Sequence, residues 1–85
     1  MNISIGQIVY SKSGRDAGRK LLVVGIIDEN YVEVADGNLR KINNPKKKKI
    51  KHLKITETVM ENIKKRMNDK NKLSDAEIKK VLKLF

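Results

Sequence analysis

The run KLLVVGII at residues 20–27 is apolar at successive positions, so as a strand it offers hydrophobic side chains to both faces of a sheet. Such a strand belongs at the centre of a sheet and must be covered on both sides. Gly25 within it marks a bend or bulge, as glycine inside a strand pattern commonly does. Four further short runs surround it: GQIVYS (6–11), YVEVA (31–35) with clean alternation, NLRKI (38–42) and IKHLKI (50–55). DEN (28–30) links the second run to the third. DG (36–37) is a strong two-residue turn signal between the third and fourth, because glycine accepts positive φ without steric cost. Pro45, the only proline, falls outside any central strand. Five short strands so punctuated predict a small closed barrel, which leaves no exposed sheet edge.

The pattern then changes to helical spacing. In ITETVMENIKKRMND (55–69) the apolar Val59, Ile63 and Met67 recur every fourth residue, with Thr56 as a cap and an Ile55 to Met60 staple. LSDAEIKKVLKLF (73–85) carries the S-x-x-E capping box in Ser74 and Glu77, a staple from Leu73 to Ile78, and one apolar face of Ile78, Val81, Leu82 and Phe85. DKNK (69–72) joins the two. Neither helix is long enough to be stable alone in water, so each must pack on the barrel, on the other helix or on a partner. The expected fold is mainly β with an α tail: a five-stranded barrel over 1–55 and two short C-terminal helices within a 56–85 extension. A chain of 85 residues buries only roughly 60–65% of its unfolded surface, too little to enclose a deep dry cleft.

Charge narrows the choice of partner. The formal net charge is +10, beyond the magnitude of roughly 2–8 that suits a small soluble domain. Residues 45–55 alone hold six lysines and no acid, whereas 1–44 hold six basic against five acidic side chains and 56–85 hold eight against five. A field of that sign gathers polyanions, which points to nucleic acid ahead of an anionic membrane. MNISIGQIVYSKSG has no basic segment leading a hydrophobic core, and no apolar stretch nears the ~20 residues that span a bilayer. Cysteine is absent, consistent with a reducing compartment. The expectation is a cytoplasmic protein without a membrane partner.

Catalysis finds little footing. One histidine and scattered carboxylates supply no positioned acid and base, and one histidine without cysteine excludes a zinc site of ordinary composition. GRDAGRK lacks the spacing of a P-loop. No cofactor, metal or small-molecule substrate is expected, and the chain reads as a binding protein, not an enzyme.

The candidate binding residues fall in two clusters. In KSGRDAGRK (12–20), Gly14 and Gly18 sit where a tight turn needs positive φ, and Lys12, Arg15, Arg19 and Lys20 outnumber the single Asp16. Glycines allow close backbone approach to a phosphate, exposed N–H groups donate to its oxygens, and arginine adds a bidentate fork. Ser13 belongs to the same loop, and Asp16 is expected to order it or to orient an arginine. The second cluster is PKKKKIKHLKI (45–55), where Lys46, Lys47, Lys48, Lys49 and Lys51 repel one another unless a polyanion lies near. Lysines act as point charges, so this segment should supply affinity and little sequence choice. His52 offers stacking or a phosphate contact, although a lone histidine between apolar residues of a strand reads more readily as partly buried structure. Arg40 completes the set.

GQIVYSKSGRDAGRKLLVVGI (6–26) resembles a KOW motif: a leading glycine, alternating apolar positions, and a glycine-bearing basic loop before a Val-rich strand. The wider stretch 11–53, with GRDAGR, DG, PKKKK and KHL in this order, is similar to the KOW-domain large-subunit ribosomal proteins numbered fourteen in archaea and eukaryotes, and to their bacterial KOW-domain relatives. That resemblance covers about half of the chain. It implies an SH3-like five-stranded barrel that binds RNA, usually ribosomal RNA, with the binding loop at Ser13 through Lys20 and a turn at Asp36 and Gly37. Ribosomal proteins are implied as further neighbours, and a monomer is expected off the RNA. The short, acid-balanced tail departs from the long basic extensions of many ribosomal proteins.

Only Tyr10, Tyr31 and Phe85 are aromatic, and Phe85 is expected in the tail core. Tyr31, opening a strand after DEN, is expected to be the more exposed tyrosine. With so few rings, recognition should rest on phosphates and backbone shape of folded RNA, not on stacked single strands. The rival is a protein-interaction adaptor whose helical tail recruits a partner while the barrel serves as scaffold; exposure of Val59, Ile63, Val81 or Leu82 would favour it. Double-stranded DNA binding ranks last, since neither helix pairs a polar face with base-reading residues.

Overall fold

A computed structural model describes residues 3–66 and 73–85. Five strands form one antiparallel sheet: β1 (Gln7–Ser11), β2 (Lys20–Ile26), β3 (Tyr31–Ala35), β4 (Lys46–Lys49) and β5 (Leu53–Val59). Their order is β4-β3-β2-β1-β5, so the apolar run is the central strand. The two outermost strands are consecutive in sequence, joined only by a 3-10 turn at Ile50–His52. Two helices follow, α1 (Glu61–Arg66) and α2 (Asp75–Lys83).

Alternation along β2 divides the interior into two cores. Leu21 and Val23 join Val9, Val32, Val34, Ile50 and Leu53 in one cluster drawn from four strands and the 3-10 turn, around which the sheet rolls into a barrel. Leu22 and Val24 face the other way, into a cluster with Ile8, Ala35, Ile42, Ile63, Leu73, Ile78 and Leu82. The barrel covers one side of β2 and the helical tail covers the other. That is why Leu21 to Val24 are all apolar. The bend expected at Gly25 is a register shift between Val23 and Gly25 in the β2–β3 ladder.

The fourth strand is not NLRKI. Residues 38–42 form a loop in which the N–H groups of Asn38 and Arg40 donate to the Asp36 carboxylate at 2.9 Å each, and the N–H of Asp36 and of Gly37 to the Arg40 carbonyl. Ile42 then turns into the helix-side core, its N–H donating to Asp75 Oδ1 at 2.7 Å. The fourth strand is instead the lysine run, paired through Tyr31↔Lys49, Val32↔Lys48, Glu33↔Lys47 and Val34↔Lys46. Among the described residues no ladder joins β4 to β5, so the edge-free closure expected of the barrel is not reached and β4 is an edge strand; such a strand needs backbone pairing on one side only, and lysines there discourage pairing with a second molecule.

The fifth strand starts later and runs further than IKHLKI. Residues 55–59, which helical periodicity assigns to the tail, continue the ladder to Gln7↔Val59 across a register shift. Thr56 does not cap a helix. Its hydroxyl donates to the Ile8 carbonyl at 2.6 Å, while Gln7 Nε2 donates to the Thr56 carbonyl at 2.8 Å. β-Branched Thr and Val at 56, 58 and 59 fit this pleated surface better than a helix. The Ile55 to Met60 staple is therefore absent, and α1 begins only at Glu61. Met67 and the joint at 69–72 lie outside the described residues.

The second helix matches its sequence signals. Ser74 Oγ accepts from the Glu77 N–H at 3.2 Å, and Glu77 Oε1 accepts from the Ser74 N–H at 3.4 Å, the expected capping box. The helix stops at Lys83, so Phe85 falls past its apolar face and is 45% exposed, not core. Gly37 seats this helix on the barrel. Its φ is +79°, and a Cβ there would collide with the Asp75 carbonyl oxygen and crowd Lys79 Cγ.

Candidate nucleic-acid interface

The basic loop is closed at its base by β-type bonds. Ser11 N–H donates to the Arg19 carbonyl at 3.1 Å, and Gly18 N–H to the Ser11 carbonyl at 2.8 Å. Between them a single 3-10 turn spans Gly14–Asp16, with Gly14 at φ +75° and Gly18 at φ +83°, so both glycines occupy the conformation expected of them. The side chain of Asp16, expected to order the loop, lies outside the described set. Lys12, Gly14, Arg15 and Gly18 are exposed, and Ser13 is half-buried.

Two hydrogen bonds tie the outbound limb of this loop to the lysine segment. Lys48 Nζ donates to the Ser13 carbonyl at 3.4 Å, and the Lys12 N–H donates to the His52 carbonyl at 2.8 Å. Lys12, Ser13, Gly14, Lys48 and His52 thus come together at one end of the barrel. His52 is exposed and lies in the 3-10 turn, not partly buried in a strand, and Lys51 beside it is exposed as well. Lys46 and Lys47 are exposed, and Lys49 is half-buried. Alternation sends Lys47 and Lys49 to the face opposite Lys46 and Lys48, where their ammonium groups stand 4.5 and 5.7 Å from the centre of the Tyr31 ring. Tyr31 is half-buried, as is Tyr10.

The return limb goes elsewhere. Arg19 Nη1 donates to Asp36 Oδ2 at 3.1 Å. Asp36 is only 7% exposed; burial works against its charge, but the N–H groups of Arg40 and Asn38 and the Arg19 guanidinium outweigh burial and hold its carboxyl below the usual range. Lys20 Nζ donates to the carbonyls of Leu82 and Phe85 at 2.8 Å each, capping the end of α2 where the helix dipole favours a cation. Arg40 is half-buried beside the same turn, its backbone holding Asp36. Arg19, Lys20 and Arg40 are therefore brought together around Asp36 and the tail, apart from Lys12 and Lys48. Among the described residues no three His, Asp or Glu side chains group as a metal site, and no helix is long and apolar enough to cross a membrane.

Sequence reasoning passed over two lysines of this region. Lys79 and Lys83 stand one turn apart on α2 and line an open cleft of about 270 Å³ with Arg19, Lys20, Asp36, Asn38 and Leu82. Their i, i+4 spacing was the available signal, masked by the balanced charge of the tail as a whole.

No protein-family model matches the chain. Individual proteins do. The chain is 34% identical over 80 residues to the large ribosomal subunit protein eL14 of Pyrobaculum calidifontis, an alignment covering 94% of this chain and 71% of that protein. It belongs to the eL14 family. The eL14 protein of Pyrobaculum aerophilum is 35% identical over 82 residues with the same coverage, and that of Desulfurococcus amylolyticus is 42% identical over 55 residues, 65% of this chain and 57% of its own length. The eL14 likeness thus extends beyond the KOW-like residues 11–53 and into the helical tail. That tail supplies four of the nine described buried residues of the helix-side core, Ile63, Leu73, Ile78 and Leu82.

Proposed function

We infer that this eL14-family chain binds structured ribosomal RNA of the large subunit, in the cytoplasm, and acts by docking and not by catalysis. Contact runs through the outbound limb of the basic loop, Lys12 to Arg15, together with the lysine strand and the turn behind it, Lys46 to His52. The observation that carries this reading is the pair of hydrogen bonds from Lys48 to Ser13 and from Lys12 to His52, which holds two separate basic segments at one end of the barrel. Cations so gathered favour a polyanion, and the counterions displaced when they meet one would supply most of the affinity. Tyr31 already lies under two ammonium groups, so its face is better suited to hold lysines over a phosphate backbone than to stack a base. The free protein is a monomer, and neighbouring ribosomal proteins are secondary partners.

The adaptor reading is less well supported. Ile63 at 1% exposure and Leu82 at 7% are buried against the barrel, and Val59 and Val81 are half-buried. The apolar face that would recruit a partner helix already has an occupant. The deciding experiment is a binding titration of a large-subunit ribosomal RNA fragment with the Arg15→Ala/Lys51→Gln variant across a salt series. The slope of log affinity against log salt should fall by just under two units, about one per lost phosphate contact, with the thermal midpoint unchanged. An unchanged slope would contradict this placement of the interface.

A further inference from the structure

The cleft between α2 and the turn at 36–40 gathers cations that the interface above does not use. Lys79 and Lys83 repeat at i, i+4 on α2, so they are neighbours of like sign on one helix face. Arg19 and Lys20 line the opposite wall, and the one acid among the lining residues, Asp36, is already held by Arg19 and by two backbone N–H groups. Lys20 is held in turn by the last carbonyls of α2. Lys79 and Lys83 thus stand side by side, like charge beside like, on one wall of a hollow in which the one lining carboxylate is held by other groups. The cleft is open to solvent, so a phosphodiester group can enter it without displacing protein. Asn38, exposed at the mouth, adds an amide donor.

The loop links this cleft to the first interface along the chain. Its outbound limb bonds to the lysine segment and its return limb, only a few residues on, forms the cleft wall. We propose that the cleft between α2 and Arg19 seats a backbone phosphate of the same RNA, so that the tail helix is itself part of the RNA-binding surface. This rests on the RNA-docking reading and extends it: Lys79 and Lys83 hold the phosphate oxygens, Arg19 faces them from the return limb of the loop, and Lys20 keeps α2 in place. Because lysines carry the contact, the seat adds affinity without base choice.

The test compares two doubly substituted full-length proteins, Lys79→Gln/Lys83→Gln and the charge-matched Lys64→Gln/Lys65→Gln on the exposed face of α1, in salt titrations with a large-subunit ribosomal RNA fragment. The α2 variant should lose one to two units of salt slope, at just under one unit per contact, with its thermal midpoint unchanged or raised, and the α1 variant should lose clearly less. Equal losses in both would overturn the proposal, since net charge alone would then account for them. So would an unchanged slope for the α2 variant. If binding to polyglutamate, a probe for an acidic protein partner, falls while the RNA slope holds, the cleft serves a protein and the proposal fails. The outcome for Arg15→Ala/Lys51→Gln separates the cases: a reduced slope there with none at α2 sinks only the cleft, whereas no reduction in either sinks RNA docking itself.

Discussion

Arg15 and Arg19 stand four residues apart in one basic loop and have different work. Arg15 is exposed on the 3-10 turn, free to meet solvent or RNA, whereas Arg19 is ion-paired to a carboxylate that the fold has buried. Removing the guanidinium of Arg19 leaves Asp36 with its two backbone donors and the cost of its burial. Arg19→Ala is therefore expected to lower stability by about 1–2 kcal/mol, the smaller end applying because solvent reaches the guanidinium. A thermal melt should show a midpoint drop of roughly 4–8 °C per kcal/mol for a domain of this size. Arg15→Ala should leave the midpoint where it is. The sequence marks both arginines as equivalent, because their spacing from glycines and their charge are alike; only the partner supplied by residue 36, brought in by the β2–β3 pairing, tells them apart.

Elements were legible wherever local pattern and tertiary demand agree. The apolar strand β2, the alternating β3 and the capped α2 follow directly from side-chain periodicity and a capping box. NLRKI misled because Asp36 accepts two backbone N–H groups and so stabilises a loop where a strand ladder would otherwise start. KKKK carries no apolar alternation to mark it, since an edge strand can take its register from backbone pairing. TETV was drawn into β5 by ladder bonds to β1 that no helical window can see. The two helices are themselves linked: both guanidinium nitrogens of Arg66 donate to the Glu77 carboxylate, Nη2 to Oε1 at 2.9 Å and Nη1 to Oε2. The Arg66 bond, with the Ser74 cap, brings the Glu77 carboxyl down to about 2 from its ordinary 4.5. A carboxyl depressed by folding stabilises the fold fully above its unfolded value and loses that contribution as pH falls towards the folded one. Thermal midpoints followed from pH 5 to pH 2 should thus decline less steeply for Glu77→Gln than for the parent, with the difference arising between about 4.5 and 2. Parallel declines would show that the pair does not join the helices in solution.

At the scale of the whole molecule, excess charge and fold are arranged around one another. The central strand needs two covers, and the chain supplies them as a barrel interior and a helical tail, with the tail held in place by Gly37, by Ile42 and by the Lys20 cap. Packing therefore consumes most of the apolar side chains of the strands and of α2 and leaves the lysine edge strand, the 3-10 turn and the outbound loop limb facing solvent at one end. The partner class was visible in composition, because ten more cations than acids is a property of the sum. The arrangement of those cations was not, since it depends on β4 being a strand at all. Amide chemical shifts of the full chain, recorded as a structured large-subunit ribosomal RNA fragment is added, test this account most directly. Perturbations should cluster at Lys12 to Arg15 and at Lys46 to His52. Silence at both segments, with shifts confined to the exposed apolar Leu39, Leu84 and Phe85, would contradict it.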